Sequence, residues 1–137
     1  MSQYVKLSAQ DCSRVFLLMS QPFVAGDNLI FQLESGYGLL RVLAVDGQGA
    51  DAVWHVLTYE ELFPDIGSAE HALSAPEQLH VAYPHLALTD RAFERTPAAK
   101  LSHRLIAQPE LTAYRQWQEN AERQVFDRSL LQLLGMR

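Results

Sequence analysis

Cysteine is nearly missing from this chain: among 137 residues there is one, Cys12. A single thiol can form no internal disulfide, no four-cysteine zinc site and no Cys-x-x-Cys redox pair, and it suits a reducing compartment. Long apolar runs are missing as well. Val15 to Met19 spans five residues, whereas a secretory core needs about 7 to 15 and a membrane helix about 20. The expectation is a cytoplasmic protein with no membrane partner. Positive charge is scarce: 11 Lys and Arg stand against 16 Asp and Glu, for a formal net charge of −5. A protein whose main partner is a phosphate backbone needs a basic face, so no nucleic acid is expected as partner.

Motifs that announce a reaction are also absent. GxxxxGK[ST], GxGxxG and HExxH do not occur, and Gly36-Tyr37-Gly38 reads as a tight turn rather than a phosphate cradle. The five histidines, His55, His71, His80, His85 and His103, have no metal-ligand spacing; His80 and His85 would need a third ligand that nothing beside them supplies. His55, inside the apolar run Val53 to Leu57, reads as a half-buried structural residue. Cys12 has no hydrolase signature around it and reads as core. Glu60-Glu61 does not make a catalytic pair, because adjacent side chains point apart. Trp54, Tyr59, Phe63, Tyr83 and Tyr37 could line a stacking platform, but such platforms are interleaved with Lys and Arg and this stretch is acidic. Trp54 and Phe63 read as core.

What is present is a strand pattern between two helical zones, with no repeat. Ser8 and Asp11 precede Cys12, Val15, Phe16 and Met19 at helical spacing, which predicts a short helix within residues 1–21, with a strand over Arg14 to Met19 as the competing reading. From 22 to 108 the chain reads mainly as β. Leu29, Phe31 and Leu33 alternate, Ser35-Gly36 turns, Gly38 to Val45 is a second strand, Asp46-Gly47-Gln48-Gly49 turns again, and Ala52 to Leu57 is a third. An irregular excursion follows Thr58, with one helical turn expected around Glu70 to Leu73, and strand character returns at His85 to Thr89 and again at Leu101 to Ala107, a segment that also fits a helix. Pro109 opens a helix. Leu111, Tyr114, Trp117, Ala121, Val125, Leu130, Leu133 and Leu134 keep three- to five-residue spacing, predicting one long amphipathic helix over 109–135 docked through Trp117, or a helix broken at Asp127-Arg128-Ser129. The expected fold is therefore α+β in a single domain, 1–137: a strongly bent antiparallel sheet or small SH3-like barrel, a short N-terminal helix and a long C-terminal one.

Gly26-Asp27-Asn28-Leu29-Ile30-Phe31-Gln32-Leu33, with Gly36-Tyr37-Gly38-Leu39-Leu40-Arg41-Val42-Leu43, resembles the opening hairpin of the bacterial immunity protein 26 family. Leu88-Thr89-Asp90-Arg91-Ala92-Phe93 is similar to a later segment of that family. The resemblance covers about 26–108, and it implies a small barrel that binds and neutralises a toxin protein without catalysis.

Charge is unevenly laid out. Between Arg41 and Arg91 there is no Lys or Arg but there are eight acids, while from Pro97 onward six bases face four acids. An acidic stretch without local countercharge fits a basic protein partner, since complementary fields speed encounter. Asp46, Asp51, Glu60, Glu61, Asp65 and Glu70 are the residues expected to meet that partner. No catalytic residue, metal ligand or cofactor is assigned. Two other classes stand beside this one: a small hydrolase using His55 or His85 with a neighbouring carboxylate, and an oligomeric scaffold, such as a homodimer, assembled through the C-terminal helix.

Overall fold

In the computed structural model, which describes residues 23–135, the expected meander is three consecutive antiparallel strands: β1 Asp27–Leu33, β2 Gly36–Asp46 and β3 Val53–Tyr59. The helix predicted within 1–21, and Cys12 with it, lie outside the described residues. Two further antiparallel strands, β4 Val81–Thr89 and β5 Ala98–His103, complete a sheet in the order β4-β3-β2-β1-β5. β4 and β5 stand at opposite edges and do not pair, so among the described residues the sheet is open and not the closed SH3-like barrel that was the alternative expectation.

Four short helices cover it: α1 Ile66–Ala72, α2 Asp90–Glu94, α3 Thr112–Glu119 and α4 Leu130–Leu133. Alternation along β1 shows why both faces need cover, because Leu29, Phe31 and Leu33 point to one side and Ile30 to the other. On the first face Leu29, Phe31, Val42, Val56 and Leu88 form a dry core with Phe93 of α2 and Leu130 of α4. On the second face Ile30, Leu39, Leu43, Leu57 and Tyr59 pack against Ala69 of α1. Gly36 pins the β1–β2 turn. Its φ is +148°, and a Cβ there would sit 2.6 Å from the Phe63 carbonyl, because Tyr37 and Phe63 exchange two backbone hydrogen bonds of 2.8 and 2.9 Å. Only glycine has the freedom and the space.

The predicted long C-terminal helix is not there. A 3-10 turn, Gln108–Leu111, leads into α3, and the helix ends at Asn120, whose backbone is extended. The side chain of Asn120 accepts from the Glu122 N–H, and the Trp117 indole N–H donates to the Gln124 carbonyl, so the chain doubles back. Phe126 then lies along β4: its N–H donates to the Ala87 carbonyl, and its carbonyl accepts from the Thr89 N–H. That pairing satisfies part of the β4 edge, which an intact helix would leave open. It also carries the chain from one face to the other. Tyr114 and Trp117 pack over the second face, and Leu130, Leu133 and Leu134 over the first. One apolar stripe in the sequence thus belongs to two faces of the sheet, and Ala121 and Val125 between them are exposed. Among the described residues, no helix is long and apolar enough to cross a membrane.

Candidate functional site

The first face holds a carboxylate, Asp90, under the Trp54 indole, while the second face buries a cation. Its most buried group is Arg41 on β2, with no exposed surface. The Arg41 Nε donates to Glu110 Oε1 at 2.5 Å; one terminal nitrogen donates to the Gly26 carbonyl and Asn28 Oδ1, both at 3.0 Å, and the other to the Arg104 carbonyl at 2.8 Å. A guanidinium so fully engaged is a clamp joining β1, β2 and the chain after β5. Burial pushes the Glu110 carboxyl upward, but the Arg41 hydrogen bond, the Ala107 N–H and the charges of Arg41 and Arg104 outweigh it and hold it below the ordinary range. Beside the clamp lies Asp27, almost wholly buried, which accepts from the Val24 N–H at 2.9 Å and lies 2.8 Å from His103 Nδ1.

A second polar centre lies under α3. His55, fully buried on β3, is flanked in the sheet by Ala44 and Ala87, whose small side chains leave room above its ring. Its Nε2 is 2.8 Å from Asp46 Oδ2 and its Nδ1 is 2.9 Å from Nε2 of His85 on β4. The Tyr114 hydroxyl donates to Asp46 at 3.0 Å and accepts from Gln118 Nε2 at 3.0 Å. The rings of Tyr114 and Trp117 lie 4.5 and 4.7 Å from that of His55. A β-bulge makes this possible. Between Val42 and Ala44 the register shifts by one residue, so Leu43 packs into the second face, Val45 against the first, and Asp46 comes out on the same side as His55. Without the extra residue strict alternation would put Asp46 on the other face.

A carboxylate can only accept, so His55 carries its proton on Nε2; its Nδ1 then accepts, and the donor is His85 Nε2–H. Burial lowers the His55 pKa, with the charge and hydrogen bond of Asp46 pushing back without cancelling it. Burial, reinforced by the neighbouring His55, lowers His85 to about 4. Burial and the bond to Asp46 push Tyr114 up to about 12. Both imidazoles are therefore neutral at pH 7. A general base works best with a pKa near the operating pH, so this pair is badly tuned for proton abstraction and well suited to holding α3 down. Among the described residues no three His, Cys, Asp or Glu side chains are grouped to hold a metal ion. Cavities are found elsewhere, such as one of about 360 Å³ lined by Phe23, Val45, Gln48 and Trp54.

The six acids expected to meet a partner do not form one patch. Asp46 is committed to His55 and Tyr114. Asp51 is exposed in the turn between β2 and β3, at the far end of β3 from Glu60. Glu60, Glu61, Asp65 and Glu70 do fall together, in the connection from β3 to β4 that contains α1. Two of these have structural work: Asp65 caps α1 by accepting from the Ser68 N–H at 2.7 Å, and Glu61 accepts from the His80 N–H and ring. Glu60, Glu70 and Glu77 are exposed. The aromatic platform does not exist either, since Trp54 stacks on Phe93 at 4.2 Å on the first face while Tyr59 is buried in the second. Trp117 does dock its helix, on His55 and His85, but as a half-buried ring.

The residues that carry the family resemblance turn out to be architectural. Gly26, Asn28 and Arg41 belong to the clamp and Asp27 holds the Val24 N–H and His103; Thr89 caps α2 through the Ala92 N–H, and Asp90 accepts from the Trp54 indole at 2.9 Å. Sequence reasoning singled out His55, His85 and Asp46 separately and missed that they touch, because the bulge that joins them leaves no signal within the apolar run Val42 to Val45. Comparison of the chain with protein-family models, with curated proteins and with solved structures returned no match.

Proposed function

We propose that this chain is a non-catalytic protein-binding domain whose partner is a basic protein. The observation that carries the reading is the β3–β4 connection: between Glu60 and His80 it has five carboxylates and no Lys or Arg, and Glu60, Asp65, Glu70 and Glu77 are exposed. The same region displays apolar side chains. Leu62, Ile66, Val81 and Tyr83 are each more than 40% exposed, so a partner drawn in by charge would also find apolar surface to bury. A cytoplasmic setting goes with the reading through the lone Cys12, and the resemblance of the Gly26 to Leu43 hairpin gives it a concrete form: an immunity-like protein that neutralises a basic toxin.

The hydrolase alternative has its residues side by side at Asp46, His55 and His85, but the neutral, weakly basic imidazoles lie beneath Tyr114 and Trp117. The scaffold alternative needed a single long C-terminal helix and has none to use.

The test is an association rate. With the chain as bait, the partner is recovered from the source cells, identified and purified. Binding is then timed at low and at about physiological salt, where the Debye length is about 8 Å. Glu60→Lys, Glu70→Lys and Glu77→Lys together change the net charge by +6, from −5 to +1, and spare Asp65 and Glu61. The triple variant should associate on the order of tenfold more slowly at low salt, while a control carrying three reversals at Glu34, Glu94 and Glu119 should not. An acidic partner, or a rate indifferent to reversal and to salt, overturns the reading.

A further inference from the structure

Helix α3 is short and lightly held. Of its eight residues only Tyr114 is buried. It is pinned just before its start by Glu110 on Arg41 and beyond its end by Phe126 on the edge of β4. Between those pins its underside rests on Asp46, His55 and His85. We propose that this hydrogen-bonded chain is an acid-operated latch: it holds α3 on the sheet at neutral pH, and proton uptake releases the helix while the sheet and both pins stay in place. The inference does not rest on the proposed binding function.

The case is geometric. With both imidazoles neutral, every bond in the chain has one donor and one acceptor. One added proton can be absorbed without breaking it: it binds at His85 Nδ1 while the His85 Nε2 hydrogen passes to His55 Nδ1, so that His55 is doubly protonated beside Asp46 and donates to the freed His85 Nε2. A second proton cannot. It places N–H groups head to head across 2.9 Å and two cationic rings with centroids 5.1 Å apart. Among the described residues the groups facing the pair are Asp46 from β2, the Tyr114 phenol and the neutral Gln118 amide from α3, and Arg123, whose guanidinium lies 5.8 Å from the Trp117 ring centre. Of these Asp46 offers compensation for positive charge, and it offers it to His55, not to His85.

The sign follows from proton counting. An exposed histidine titrates near 6.5 and the latched His85 near 4, so between those values the open form binds more protons and closure weakens as pH falls. Because His85 is only partly buried, the shift is discounted: the open-to-closed ratio rises on the order of tenfold from pH 7 to pH 5.

Trp117, against both histidines, reports on the latch, and Trp54 on the opposite face is an internal control. The full chain is labelled with 5-fluorotryptophan and its two fluorine resonances, assigned with Trp117→Phe, are followed from about pH 7.5 to 4.5, across the window set by linkage. The Trp117 resonance should move to that of a solvated ring while the Trp54 resonance holds. His85→Gln keeps an N–H donor for His55 but does not titrate, and should displace the transition downward by at least one pH unit. Should that variant not fold, Tyr114→Phe, which removes the phenol bond to Asp46, serves instead and should displace it upward. A Trp117 resonance that stays put, one that moves together with Trp54, or a midpoint indifferent to the variant overturns the latch.

Discussion

The two faces of one sheet solve the same problem with different chemistry. The first face is filled by Trp54, Phe93, Leu130 and aliphatic side chains from β1 to β4, with one buried polar contact, the Trp54 indole on Asp90. The second has aliphatic cover from α1 and from Leu101, Ile106 and Leu111, and beside it the Arg41 clamp and the His55 chain. Apolar burial is non-directional and tolerates small rearrangements, whereas a buried ionic or hydrogen-bonded cluster holds one geometry and fails sharply when a member is lost. The first face is thus where stability resides. The second is where the molecule can respond to pH, charge or a partner.

The strongest test of that contrast is Trp54→Ala. The ring is 2% exposed and stacked parallel on Phe93, so truncation should cost about 3 to 5 kcal/mol in urea unfolding. A loss under about 1 kcal/mol would mean that the first face is not the main core. Arg41→Ala should follow at about 3 kcal/mol, because it strands Glu110, the Asn28 side-chain oxygen and the carbonyls of Arg104 and Leu105. Since Glu110 is held below its ordinary pKa by that pair, the stability Arg41 provides should be present above pH 4.5 and fade as the pH falls through the lowered value. If Arg41→Met, close in volume, proves as stable as the parent at pH 7, the clamp adds specificity of geometry and not stability.

Much of the first face could be read from the sequence, and much of the second could not. Leu29, Phe31 and Leu33 announce a strand by alternation, and Gly36 and Gly47 mark turns because the backbone there needs positive φ. Ile30 in the same strand already signals that the sheet is covered on both sides. The break after Glu119 has no comparable signal, because its cause is remote: Trp117 reaches Gln124, and Phe126 finds the edge of β4. Periodicity reports which residues are apolar but not which face they serve, so Tyr114 and Leu130 looked like one stripe. The His55 chain was hidden for the same reason, since a one-residue bulge decides the side on which Asp46 emerges. The acidic stretch was legible as composition, but not its division between the two ends of β3.

Tyr114→Phe is a finer probe of the second face. It removes one hydroxyl that Asp46 and Gln118 share while keeping the ring against His55. With Asp46 half exposed, the loss should be about 1 kcal/mol at pH 7. It should also appear as faster amide exchange confined to α3, with β1 to β3 unchanged. Uniformly faster exchange would mean that the helix and the sheet open as one unit, and the two faces would not be separable.

The smallest effect is expected where the proposed function puts its weight. Glu60, Glu70 and Glu77 are exposed and make no hydrogen bond or ion pair among the described contacts, so each reversal to lysine should change stability by less than about 0.5 kcal/mol. Asp65→Ala, a few residues away, should cost about 1 kcal/mol, because it removes the oxygen that caps α1. The pair of measurements separates acids kept for folding from acids left free to meet something else. If the three reversals stabilised the domain by more than about 1 kcal/mol in total, the parent residues would be repelling one another on the folded surface. A chain that tolerates such repulsion in the absence of a partner would give the basic-partner reading its energetic basis. If they destabilised it by as much, these carboxylates would serve the fold, and the acidic connection would no longer argue for a partner at all.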